Sequence, residues 1–295
     1  MKNMLLLLNP RSGKQKANRL LPEIISLFNR AGYAVTVHIT DGPGDGARAA
    51  ERFAGQMDAV VCCGGDGTFN ETVTGLLHSG SDTPIGYIPC GSTNDFAAGL
   101  QLPTDLLEAA GAIVCGKPQR YDCGRINDRY FTYVASFGAF TRSSYATNQH
   151  AKNNLGFLAY LLSGIQEISQ LRPIRIRAEL DGAVLEDEVL FCAVSNATRL
   201  GRVLTLDPNR VDLSDGLLEL MLIRPPKDPV ELASCIHQLQ NQQYDSRMIT
   251  FRPVRELSIT CPAGTVWSLD GERYDAPATS HISILPKAIG LLQKG

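Results

Sequence analysis

The chain opens with an unbroken apolar run over residues 4–8 that stops at Asn9-Pro10. A short continuous run bounded by turn residues predicts a strand buried on both faces. Leu20, Leu21, Ile24, Ile25 and Phe28 then recur at the spacing of one helix face. Residues 33–39 alternate as a second strand, 45–54 suit a helix, and 58–63 form a third strand. Phe69, Val73, Leu76 and Leu77 mark the next helix face, and residues 85–88 a fourth strand ending at Pro89. Strands alternating with helices predict a parallel sheet covered on both faces.

Beyond about residue 122 the pattern changes. Short strand-like runs meet at turn dipeptides: Asn127-Asp128, Asp181-Gly182 between 174–180 and 184–194, Asp215-Gly216, and Asp270-Gly271. Two helical segments, about 155–171 and 229–241, interrupt them. This predicts a mainly antiparallel sandwich or open barrel. We expect residues 1–124, joined by a tail of about 286–295, to form one domain and 125–285 the other.

Composition removes some function classes. A net charge of -2 gives the whole molecule no pull toward nucleic acid. Basic residues do gather early, where Lys2, Arg11, Lys14, Lys16, Arg19 and Arg30 face only Glu23. Such a cluster suits a phosphate site and a solvated helix face equally. The eight cysteines form no CxxC or Cys/His metal spacing, which predicts reduced thiols in a cytoplasmic protein. Residues 4–8 are too few to span a membrane, and 155–171 carry Gln166 and Glu167. That segment is expected to be a core helix or the wall of a lipid groove.

The densest chemical signal is Gly64-Gly65-Asp66-Gly67-Thr68, followed by Asn70-Glu71. It lies between a predicted buried strand and a helix, where α/β proteins bind phosphate. Glycines let backbone amides approach phosphate oxygens. Asp66 would repel phosphate unless a divalent cation lies between them, and magnesium with ATP meets that need. Asn9-Pro10-Arg11-Ser12-Gly13-Lys14 follows the first strand but lacks the GxxxxGK[ST] spacing. Cys90-Gly91-Ser92-Thr93-Asn94-Asp95-Phe96 follows the fourth; taken alone, Ser92, Thr93 or Asn94 reads best as a helix cap. Three polar loops at one sheet end would converge on one crevice. Leu269-Asp270-Gly271-Glu272 and Val211-Asp212-Leu213-Ser214-Asp215-Gly216 read by themselves as tight turns. The histidines form no ligand spacing.

Taken in order, these motifs resemble the diacylglycerol kinase catalytic-domain family, in particular soluble bacterial lipid kinases similar to sphingosine kinases. The resemblance covers nearly the whole chain. GGDGT alone is shared with NAD kinases; the early NPxSG loop and the late DGE element favour the lipid branch. The resemblance implies a Rossmann-like α/β nucleotide-binding domain followed by a β-sandwich, with the active site between them. It implies that ATP meets Asn9, Pro10, Arg11, Ser12, Gly13, Thr40, Gly64, Gly65, Asp66, Gly67, Thr68, Asn70, Ser92 and Asp95. Ser92 stands where family members often have Thr, and keeps the hydroxyl. Asp66 and Asp95 would share a magnesium and water network, and Glu272 would act as base on the lipid hydroxyl. A second magnesium would use Asp212, Asp215 and the Leu217 carbonyl. The implied acceptor is a lipid at a membrane surface, diacylglycerol first, with peripheral contact and room for a homodimer. The alternatives are an NAD kinase and a nucleotide-binding regulator without turnover.

Overall fold

The computed structural model describes residues 1–139, 172–180, 182–200, 204–244 and 246–294. The helix expected at 155–171 and the turn position Asp181 lie outside the described residues. The chain divides into two compact units: Met1–Asp122 with Lys287–Gly295, and Cys123–Pro286.

In the first unit, strands β1 (Lys2–Leu8), β2 (Tyr33–Ile39), β3 (Ala59–Gly64) and β4 (Ile85–Pro89) run parallel in the order β2-β1-β3-β4. The helices are α1 (Lys16–Arg30), α2 (Asp45–Phe53), α3 (Asp66–Ser79), α4 (Asp95–Gly99) and α5 (Leu106–Cys115). Met4, Leu6 and Leu8 pack with Ala17, Ile24 and Phe28 of α1 and with Leu106, Ala110 and Ile113 of α5. Leu5 and Leu7 point to the opposite face and are equally buried. Two covered faces explain the unbroken apolar run, and each leucine so buried contributes about 1.5–3 kcal/mol. A Cβ on Gly75 would lie 2.2 Å from the Ala47 carbonyl oxygen, so α3 meets α2 backbone to backbone. The C-terminal strand (Thr279–Gln293) joins this sheet in parallel beside β4, pairing Leu291 with Ile85.

The second unit contains two facing layers. Strands β5 (Lys117–Ile126) and β6 (Arg129–Phe131) form a hairpin over Asn127-Asp128, with β5 entering from the first unit. One layer draws on β7 (Val134–Gly138), β10 (Phe191–Ser195), β13 (Leu218–Ile223), β14 (Ile249–Val254), β16 (Val266–Leu269) and β17 (Glu272–Asp275), all antiparallel. The other draws on β8 (Ile174–Leu180), β9 (Ala183–Val189), β15 (Glu256–Thr260) and the first half of the C-terminal strand, β18. Between them lie Ile176, Ala178, Leu257, Ile259 and Ile282 from one side and Phe137, Val194, Leu220 and Trp267 from the other. Short strands β11 (Arg199–Leu200) and β12 (Leu204–Thr205) pair outside these layers. Helix α6 (Pro229–Gln240) starts at Asp228, whose carboxylate accepts from Glu231 N at 2.8 Å.

The run 184–194, expected as one strand, is two. At Leu190 the chain leaves β9 for β10 in the other layer, and Leu190 N donates to Ile223 O at 2.7 Å. Exposed positions alternate along β9 while β10 is buried throughout, so both halves read as strand without marking the break. The α/β unit followed by a mainly antiparallel unit agrees with the fold class read from the sequence. Among the described residues, no helix is long and apolar enough to cross a membrane.

Candidate active site

The strand order reverses between β1 and β3. At such a reversal the loops leaving the carboxyl ends of the strands open a crevice that takes ligands. The loops leaving β1, β3 and β4 meet there through their backbones. Asn9 N donates to Cys63 O at 3.0 Å and Cys90 N to Gly64 O at 2.9 Å. A Cβ on Gly13, whose φ is +57°, would lie 2.0 Å from the Cys90 carbonyl oxygen. A Cβ on Gly91 would lie 2.5 Å from the Gly65 Cα. These glycines are therefore required by close approach of main chain.

Side chains complete the clasp. Asn9 Nδ2 donates to Thr68 Oγ1 at 3.0 Å, and Asn9 Oδ1 accepts from Arg11 N at 3.0 Å. Asn18 Nδ2 donates to Pro10 O at 3.1 Å, and Gln15 N to Ser12 O at 3.0 Å. Asn94 Oδ1 accepts from Gly91 N at 2.9 Å while its Nδ2 donates to Gly91 O at 3.1 Å. Behind the loops, the buried thiols of Cys63 and Cys90 lie 3.8 Å apart, and this contact, then burial, pushes the Cys63 thiol up. All eight cysteines are free thiols.

Gly65 caps α3, and the first intrahelical bond runs from Phe69 N to Gly65 O at 3.0 Å. The amides of Gly67 and Thr68 thus lead the helix, where N–H groups and the helix dipole favour an anion. Asp66 shares this turn, but its carboxylate reaches α4: Oδ2 accepts from Asp95 N at 3.1 Å and Oδ1 from Phe96 N at 3.3 Å. The cap expected of Ser92, Thr93 or Asn94 falls to Asn94 by position, without the side-chain bond of a cap. Asn94 holds the cap position of α4 with φ +52°, yet its side chain turns back to Gly91 and Asp66 receives the leading amides. Asp95 itself is 5% exposed.

The remaining expected nucleotide residues surround this corner. Thr40 follows β2, where Thr40 N donates to Leu8 O at 2.9 Å. Asn70 is half-buried on α3 and accepts from Thr74 Oγ1 at 3.5 Å, whereas Ser92 is exposed. Glu71 faces away to cap α2, accepting from Gly44 N at 2.6 Å and Gly46 N at 3.1 Å. Arg11 and Arg19 are exposed; the Lys14 side chain lies outside the described residues.

In the second unit, Asp270 and Gly271 join β16 to β17 with φ values of +48° and +83°. Glu272, first residue of β17, is exposed and pairs across the hairpin with Leu269. Asp270, read from the sequence only as a turn residue, is buried. Its Oδ2 accepts from Thr132 N at 2.6 Å and Thr132 Oγ1 at 2.8 Å, and its Oδ1 from Tyr133 N and Val134 N, both at 3.0 Å. Burial raises the Asp270 carboxyl pKa, and these four donors oppose it. Asp212 and Asp215 are exposed in one turn. Asp212 Oδ1 accepts from Ser214 N and Oγ at 2.9 and 2.8 Å, and Asp215 Oδ1 accepts from Leu217 N at 2.9 Å. Among the described residues, no three His, Cys, Asp or Glu side chains gather to hold a metal. Asp66 with Asp95, and Asp212 with Asp215, do offer the hard oxygen donors that suit magnesium completed by water or phosphate.

Residues 3–126 match the model of the diacylglycerol kinase catalytic domain. Residues 134–293 match the YegS C-terminal, NAD kinase β-sandwich-like domain. The diacylglycerol kinase of Bacillus subtilis (strain 168) is 31% identical over 274 residues, 92% of this chain and 90% of that protein. The chain belongs to the diacylglycerol kinase family. It is accordingly a kinase of the lipid branch, with ATP as phosphoryl donor. The diacylglycerol kinase of Staphylococcus carnosus is 33% identical over 217 residues, 73% of this chain and 71% of that one. A crystal structure of a candidate diacylglycerol kinase from Bacillus anthracis superposes with a TM-score of 0.83 over 99% of this chain and 97% of that one. At 24% identity, that structure speaks for the diacylglycerol kinase fold alone.

Proposed function

We propose that this kinase transfers the γ-phosphoryl group of ATP to the free hydroxyl of diacylglycerol, giving phosphatidic acid and ADP. The observation that carries the phosphate side is the convergence of three backbone-tied loops on the leading turn of α3. The choice of acceptor rests on the relatives from Bacillus subtilis and Staphylococcus carnosus, which bear that activity in their names.

In this reading the first unit holds the nucleotide. Asn9, Pro10, Arg11, Ser12 and Gly13 line one side, Gly64, Gly65, Asp66, Gly67, Thr68 and Asn70 the other, and Thr40, Ser92 and Asp95 close the set. Lys14 or Arg19 offsets phosphate charge. Magnesium held by Asp66 and Asp95 would neutralise charge on the phosphate oxygens. The lipid hydroxyl oxygen forms the new bond to the γ-phosphorus, the bond to the β,γ-bridging oxygen breaks, and ADP leaves with that electron pair. The hydroxyl proton passes to the Glu272 carboxylate. A base in this role contributes about 10²–10⁴-fold. Positioning and charge neutralisation supply the rest. The turn of Asp212, Asp215 and the Leu217 carbonyl is assigned a structural magnesium. The second unit takes the lipid, through peripheral contact with a membrane surface, as one chain or a homodimer.

The test is transfer of label from radiolabelled ATP to a panel of diacylglycerol, phosphatidylglycerol, sphingoid base and undecaprenol in mixed micelles, with NAD assayed without detergent. Labelled phosphatidic acid is expected. NAD belongs in the panel because the glycine loop is shared and the second domain model is NAD kinase-like. NADP formation with no labelled lipid would overturn the acceptor.

A further inference from the structure

Two Asp-Gly turns of the second unit look alike in sequence and are built differently. At Asp215-Gly216 the carboxylate is exposed and bonds within its own turn, to Leu217 N. At Asp270-Gly271 the carboxylate is 4% exposed and bonds to residues 136–138 positions away along the chain. Asp270 N also donates to Val134 O at 2.9 Å, so side chain and main chain of this residue are both fastened to the start of β7.

A hairpin turn of this kind needs no buried charge. Two residues with positive φ are met by an exposed Asn-Gly or Asp-Gly. Taking a carboxylate out of water costs several kcal/mol unless hydrogen bonds replace its hydration. Here four donors do so, three of them from main chain and one from Thr132 Oγ1, itself on a residue of 0% exposure. The result is a turn pinned at its first residue, with Leu269 and Glu272 as the flanking pair. Glu272 stands two residues from that pin and is exposed. Its backbone is thus held by a group that takes no part in any exposed surface.

We propose that Asp270 is the positioning residue for Glu272: it fastens the β16–β17 turn to residues 132–134 so that the Glu272 carboxylate meets the acceptor hydroxyl in one place. This deepens the function proposed above and rests on Glu272 being the base. General-base transfer is sensitive to placement, and a shift of about 1 Å costs roughly 10²-fold.

The experiment is a double-mutant cycle in kcat with Asp270→Asn, Glu272→Gln and the pair, with KM for ATP measured alongside. The Asn side chain turns an NH₂ toward amide donors, so the turn must move. We expect Asp270→Asn to lower kcat by about 10- to 100-fold with KM for ATP unchanged. In the Glu272→Gln background the same substitution should lower kcat no further. Thr132→Val removes a single donor and should lower kcat less, in the same direction; it carries the test if Asp270→Asn does not fold. Fluorescence of Trp267, the sole tryptophan, reports folding of the second unit. Wild-type kcat in a folded Asp270→Asn, an unchanged kcat in Thr132→Val, or additive losses in the pair overturn the proposal while Glu272→Gln keeps its own large loss of kcat. Wild-type kcat in Glu272→Gln instead removes the base assignment, and the positioning role with it.

Discussion

The corner at α3 and the hairpin at Glu272 are each centred on acids, and they distribute the work differently. At the corner a single residue, Asp66, both receives the leading amides of α4 and stands in the turn assigned to the nucleotide. At the hairpin the labour is divided: Asp270 is buried and fastened, and Glu272 two residues on is exposed. The corner gets its shape from missing side chains, since main chain meets main chain at Gly13 and Gly91. The hairpin gets its shape from one side chain that is present. A site made by close backbone approach tolerates few substitutions; a site pinned by one carboxylate separates holding from reacting.

Substituting the two acids should expose that difference most strongly. Glu272→Gln is expected to lower kcat by about 10²–10⁴-fold. As an exposed change it should leave stability within about 0.5 kcal/mol. Asp66→Ala should abolish transfer too, and also lose roughly 1–3 kcal/mol because the α4 amides lose their acceptor. Urea unfolding beside the kinase assay separates the two. Equal stability losses would break the contrast.

Gly13→Ala tests the backbone-built corner. It places a Cβ 2.0 Å from a carbonyl oxygen at φ +57°. A loss of about 2–4 kcal/mol is expected, from strain at positive φ together with overpacking. A midpoint equal to wild type would mean that the loops do not need to meet.

The other Asp-Gly turn gives a smaller effect. Asp215→Ala should change stability by no more than about 0.5 kcal/mol without magnesium, since the carboxylate is exposed and its bond to Leu217 N spans two residues. If the turn holds magnesium, wild type should melt higher with magnesium than with EDTA, and Asp215→Ala should not. The same magnesium-dependent rise in both proteins would remove the metal from this turn.

The smallest effect lies beside the corner, where His38 Nε2 meets Asp45 Oδ2 at 2.9 Å. The bond to His38, with Asp41 N, holds the Asp45 carboxyl below its ordinary value. A folded pKa below the unfolded one stabilises the protein above the unfolded value, and that gain is lost as pH falls through the folded value. Asp45→Asn should therefore melt slightly below wild type at neutral pH, by well under about 1 kcal/mol for a partly exposed pair. The two melting curves should converge below the carboxylate range, near about pH 4 and lower. A difference that grows in acid would reverse the assigned sign.

Much of the corner was legible because its determinants are local. Continuous apolar runs marked β1, β3 and β4, and glycines after each strand marked where backbones approach. What Asp66 touches was not legible, because α4 begins 29 residues later and only the pairing of β3 with β4 brings it near. Asn94 takes the cap position of α4 at positive φ, yet its side chain bonds back to Gly91 and not to the helix. Glu71 stood beside the glycine loop in sequence, yet faces α2.

By itself, the amino-acid sequence determined the alternation of strands and helices, the change to antiparallel texture and the glycine loop, because these are short-range patterns of apolar spacing and backbone freedom. Tertiary structure decided that residues 184–194 divide between two layers and that the tail takes its place as a parallel strand beside β4. It also decided which of two similar Asp-Gly turns is buried. Asp215 and Asp270 carry the same local code, and only the register of β16 against β7 brings Asp270 to the donors of residues 132–134. Burial and partners more than a hundred residues away are properties of packing, which periodicity along a chain does not encode.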